Sequence, residues 1–88
     1  PCVIKDISGG GLLCSIQEEL ELGSRIDIDI PIEKSLLRLQ CKVLRATRTE
    51  RGYEYGCIFE DIDEPTRLQI IQYVYKRQIE LYRKEINQ

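Results

Sequence analysis

The chain has 88 residues, of which 42% are hydrophobic and 32% charged, and its formal net charge is −2. These values fit one small folded domain and exclude a disordered polar chain. The acidic balance argues against bulk nucleic-acid binding, no apolar run approaches the ~20 residues of a membrane helix, and no signal peptide is visible. The first residue is Pro1, not Met, so the chain is expected to start inside a longer protein.

Cys2 to Ile7 reads as a strand running into Lys5-Asp6-Ile7-Ser8-Gly9-Gly10-Gly11. Three consecutive glycines give up packing and add unfolded-state entropy, more than a hairpin turn needs. The excess points to a turn whose backbone must come close to something else. Asp6 offers a carboxylate acceptor and Ser8 a donor and an acceptor, both beside bare main-chain amides. The pattern suggests a small polar ligand site on the lip of a β-structure. The alternative is an Asx- or Ser-type turn that only caps a hairpin.

Leu12, Cys14 and Ile16 alternate with Leu13, Ser15 and Gln17 as a second strand. Glu18 to Ser24 reads as a loop. Arg25 to Ile30 alternates polar and apolar strictly, one face wet and one buried, and Pro31 is expected to end that strand. Leu37, Leu39, Cys41 and Val43 mark the buried side of a longer strand, and Thr47 to Gly52 a hairpin tip. Arg45, Arg48 and Arg51 near that tip read as a solvated cluster compensated by Glu50 and Glu54, with a partner surface or phosphate contact as alternatives. Tyr53, Tyr55, Cys57 and Phe59 alternate as a core face would, in preference to a base-stacking platform. Five strands with short antiparallel connections imply a barrel or sandwich.

The period changes after Asp61. Asp63 suits an N-cap, and Glu64 and Pro65 suit a first turn. Leu68, Ile71, Tyr75, Ile79 and Tyr82, widened by Ile70 and Val74, form one apolar stripe on a helix of about 20 residues. Its second half is expected to project, pack on a partner or fray, weakly supported by Glu80 and Lys84 at i,i+4. The cysteines Cys2, Cys14, Cys41 and Cys57 include no C-x-x-C pair and the chain has no His. They read as small apolar strand residues rather than zinc ligands or disulfides. With no His, no Ser–base pair at a recognisable spacing and no metal cluster, the chain is not expected to be an enzyme or to carry a cofactor or metal.

Asp6-x-Ser8-x-x-Gly11, opening a short antiparallel barrel that ends in one helix, resembles the PilZ domain, a bacterial receptor for cyclic di-GMP. Cys41-Lys42-Val43-Leu44-Arg45 is similar to that family's late strand, Tyr55-Gly56-Cys57-Ile58-Phe59 to its G-x-x-F strand, and Ile70 to Gln78 to its C-terminal helix, most of all in flagellar-brake members. The resemblance implies a mainly β fold over 1–88, a small antiparallel β-barrel with one C-terminal α-helix. It implies that Asp6, Ser8, Gly10 and Gly11 contact cyclic di-GMP. The pairing is chemically coherent, because guanine presents N1–H and N2–H2 donors that a carboxylate can accept, and glycines let amides approach a base or phosphate. The Gly11→Val change is expected to weaken binding and leave the fold broadly intact.

The family's second signature, R-x-x-x-R, lies upstream of this turn and is not in the chain, where no two arginines stand at i,i+4. Three readings account for this: an N-terminal strand and arginine segment outside this sequence, a divergent member that does not bind the nucleotide, or a likeness of fold alone. The first is preferred. The function implied is a cytoplasmic bacterial effector module whose ligand alters contacts with an adjoining domain or partner protein, in flagellar motility or exopolysaccharide control. The competing functions are an adaptor that binds no nucleotide and works through protein contacts, and a small nucleic-acid-binding β-barrel.

Overall fold

The structure, a computed structural model, describes the backbone of residues 2–86 and the side chains of residues 2–81. It holds strands β1 (Val3–Ile7), β2 (Gly11–Ile16), β3 (Arg25–Ile32), β4 (Ser35–Thr49) and β5 (Gly52–Phe59), then helix α1 (Glu64–Ile86). The strands form one antiparallel sheet in the order β1-β2-β5-β4-β3. The sheet curls into a half-barrel, and its two edge strands share a cleft with α1, lined among others by Ile4 of β1, Ile30 of β3 and Tyr73 and Val74 of α1. The mainly β fold with one C-terminal helix is the one expected from the sequence.

The inner face holds the alternating set: Leu12 and Cys14 of β2, Ile28, Ile30 and Ile32 of β3, Leu39, Cys41 and Val43 of β4, and Tyr55, Cys57 and Phe59 of β5. Ile70 of α1 completes this core and is fully buried. Among the described residues no polar or charged side chain is buried. Tyr55 is buried whole, yet its hydroxyl donates to the Glu18 carbonyl at 2.8 Å and accepts from the Leu20 amide at 2.7 Å. One core side chain thereby pins the loop between β2 and β3 and satisfies two of its backbone groups.

Two expectations need correcting. Pro31 does not end β3, which runs on to Ile32 with Pro31 opposite Leu36. β3 is an edge strand, where a residue without an N–H costs no interior ladder bond. The turn comes instead at Glu33, whose φ of 54° lies in the left-handed region. The helix also buries a different face. Ile70, Tyr73 and Val74 pack on the core, whereas Leu68, Ile71 and Tyr75 are exposed. The i, i+3, i+4 pattern holds, but the face turned to the sheet is rotated from the stripe read off the sequence, and Ile70 and Val74 are its centre rather than its margin. Tyr82 and Lys84 lie outside the described side chains. The helix starts where expected: Asp63 accepts the Thr66 amide at 2.9 Å, and hydrogen bonding from the Thr66 side chain and then its amide holds the carboxyl below the ordinary range.

All four cysteines are free: Cys14, Cys41 and Cys57 in the core and Cys2 exposed. No described helix is long and apolar enough to cross a membrane.

Candidate functional site

The residues singled out at the start of the chain converge on one open cleft of about 380 Å³ on the outer face of the sheet. Asp6, Ser8, Gly10 and Gly11 all line it. Its size falls in the usual range for small-ligand clefts.

The turn between β1 and β2 is held by its own polar groups. The Ser8 amide donates to the Gly11 carbonyl at 2.9 Å. The Ser8 hydroxyl accepts from the Gly10 amide at 3.3 Å and lies 3.4 Å from the Gly11 carbonyl. Asp6 Oδ1 accepts the Ile7 amide at 2.9 Å, and Oδ2 makes no hydrogen bond among the described residues. The Asx- and Ser-type turn is therefore present, and it leaves one carboxylate oxygen with its acceptor capacity unused. From the far side, the Phe59 amide donates to the Gly10 carbonyl at 3.0 Å and ties the turn to β5. A turn bonded from both sides presents its groups without first having to be ordered.

The three glycines have three separate reasons. A Cβ at Gly9 would stand 2.8 Å from Cδ1 and Cγ1 of Ile71, so the turn tucks against helix α1. A Cβ at Gly11 would collide with the Cys57 carbonyl in the neighbouring strand. A Cβ at Gly10 would meet nothing within 4 Å. The expectation that Gly11→Val leaves the fold broadly intact is thus corrected: Gly11 is needed by the β2–β5 ladder, and Gly10 is the glycine that opens toward the cleft.

The floor and far wall come from strands that the sequence did not assign to the site. Irregularities in register at Lys5 in β1 and at Leu44 in β4 leave each of these residues without a partner in the ladder. The effect is to bring Asp6, Leu13, Gly56 and Arg45 opposite one another, strand by strand, across β1, β2, β5 and β4. All four line the cleft. Arg45, read from the sequence as part of a solvated hairpin tip, lies instead at the cleft wall. Glu54, its expected compensating charge, pairs with Lys5 at 2.8 Å. A β-bulge has no reliable sequence signature, so the register of Arg45 could not be read from alternation alone.

Comparison with protein-family models matches the PilZ domain over residues 1–76. No curated protein and no solved structure matches the chain. The matched stretch takes in the glycine turn, all five strands and the first half of α1. The chain belongs to the PilZ domain family, whose members are binding modules of the cyclic di-GMP receptor type rather than enzymes.

Proposed function

We propose that the chain is a cyclic di-GMP-binding effector module of the bacterial cytoplasm, with Asp6, Ser8, Gly10 and Gly11 at its ligand site. The observation that carries this reading is the meeting of those four residues at one cleft, with an Asp6 oxygen left over from the turn's own bonds. Asp6 Oδ2 is the acceptor for a guanine base edge. Ser8 holds the turn and offers its hydroxyl to the ligand, and Gly10 lets the nucleotide lie against the main chain. Gly11 sets the close approach of β2 to β5 from which the rest of the site is built.

Ligand at this turn sits next to α1 through the contact of Gly9 with Ile71, so occupancy has a direct route to the helix and to whatever domain or protein it meets. The flagellar motor is the partner class that the helix sequence most resembles, with the machinery of exopolysaccharide synthesis as the alternative. Calorimetry of cyclic di-GMP against the full-length protein and its Asp6→Asn variant tests the reading. Asp6→Asn keeps an oxygen for the Ile7 amide and replaces an acceptor by a donor, so it should lower affinity by about 1.5–3 kcal/mol, the range for a hydrogen bond to a charged group. Equal affinities would remove Asp6 from the site. No heat with the wild type would favour the adaptor that works through protein contacts alone.

A further inference from the structure

Among the residues that line the cleft, Arg45 is the one that carries a positive charge. Among the described residues the ion pairs are Lys5–Glu54, Arg25–Glu60, Arg38–Asp29, Arg67–Glu64 and Lys76–Glu33; Arg45 has none. It does not pack into the core either, being exposed on the outer face. Its position follows from backbone geometry. The irregularity at Leu44 places Arg45 opposite Gly56, whose missing side chain leaves room for the guanidinium. A Cβ at Gly56 would stand 3.2 Å from Arg45 Nε and 3.3 Å from Nη2. The side chain therefore lies across the strand that forms the cleft floor while staying exposed to solvent.

The opposite end of the same row is Asp6. The two are separated by three inter-strand steps, roughly 14 Å between main chains at ~4.8 Å per step. The floor between them is Leu13 and Gly56, one apolar and one without a side chain. Beside it the outer face exposes Leu44 and Ile58, which are 48% and 40% accessible and also line the cleft. An anionic group at one end, a cationic fork at the other and a low, partly apolar floor between them suit a ligand with a flat hydrogen-bond-donating base at one end and an anion at the other.

We propose that Arg45 is a ligand-binding residue of this cleft, its guanidinium holding a phosphate of a guanine nucleotide whose base edge is held by Asp6. This rests on the nucleotide reading of the site and adds to it a phosphate ligand supplied by strand β4. Guanidinium presents paired N–H donors that match two phosphate oxygens, a geometry that an ammonium does not reproduce.

The test is a set of cyclic di-GMP titrations on the full-length protein at two salt concentrations, with thermal melting of each variant as a check on folding. Arg45→Ala should weaken binding at least tenfold and flatten the salt dependence, with an unchanged melting temperature. Arg45→Lys should keep the salt dependence and recover only part of the affinity. Gly56→Ala should also weaken binding, because its methyl group covers the floor and displaces the guanidinium. If Asp6→Asn loses affinity while Arg45→Ala binds as the wild type does, the role of Arg45 is overturned and the nucleotide site stands. If the wild type takes up no cyclic di-GMP, both are overturned. Loss of affinity in Arg45→Ala together with a lowered melting temperature would make Arg45 a structural residue and also overturn the proposal.

Discussion

At the scale of single residues, the glycine turn separates the proposed ligand contact at Gly10 from the packing that the fold needs at Gly11. Gly10→Ala adds a methyl group where nothing stands within 4 Å, so melting should be unchanged while nucleotide affinity falls. Gly11→Ala drives a methyl group into the backbone carbonyl of Cys57, which cannot move without breaking the ladder between β2 and β5. That variant should melt well below the wild type or fail to fold. A Gly11→Ala protein with wild-type stability would contradict the strand packing described. The sequence carried the signal that this backbone approaches something closely, but not what it approaches. The partners, Ile71 and Cys57, lie 62 and 46 residues further along the chain from Gly9 and Gly11. The carboxylate and hydroxyl of Asp6 and Ser8 were legible because turn chemistry is local. Arg45 was not, because its place depends on an irregular register that no periodicity encodes.

At the scale of elements, Tyr55 links the sheet core to the β2–β3 loop. Tyr55→Phe keeps the ring and removes the hydroxyl, leaving the Leu20 amide and Glu18 carbonyl without their partner. The expected cost is about 1–3 kcal/mol, read as a lowered denaturation midpoint with an unchanged slope. The strands were legible from strict alternation, which fixes both existence and face. The end of β3 was misread because proline is excluded only from interior strands, and the strand order that makes β3 an edge is a property of the sheet as a whole. The helix was legible in start and length. Its buried face was not: with apolar residues at both Leu68 and Ile70, and at both Ile71 and Val74, more than one stripe satisfies the helical period. Only the direction from which the sheet approaches selects Ile70, Tyr73 and Val74.

At the scale of the whole molecule, the core mixes aliphatic side chains with three buried thiols, and this makes stability depend on alkaline pH. Burial is the main cause that raises the pKa of Cys14, Cys41 and Cys57, with Cys41 pushed up to about 12 from 9.0. A raised acid pKa in the folded state means that above pH 9 the unfolded chain holds fewer protons than the native one. Stability is therefore fully present below pH 9 and is lost as pH rises from there through about 12. The slope should approach about 1.4 kcal/mol per pH unit for each thiol fully ionised only when unfolded. Urea midpoints at pH 8 and pH 10 should show the fall, and Cys41→Ser should reduce it. An unchanged midpoint would mean that these thiols are not held neutral by the core. The fold as a whole was legible because five alternating segments and one helical segment leave few ways to bury their apolar faces together. The candidate site was legible only on the side of the turn, whereas the floor and far wall of the cleft come from strands brought alongside by long-range pairing.

The claim on which the account depends is that the outer-face cleft receives a guanine nucleotide. Amide chemical shifts of the full-length protein during titration with cyclic di-GMP test it most directly. The account predicts saturable shifts at Asp6, Ser8 and Gly10 and, on the opposite wall, at Arg45 and Gly56, with little change around the β4–β5 hairpin tip at Glu50 and Arg51. Shifts confined to the tip, or none at saturating nucleotide, would contradict it.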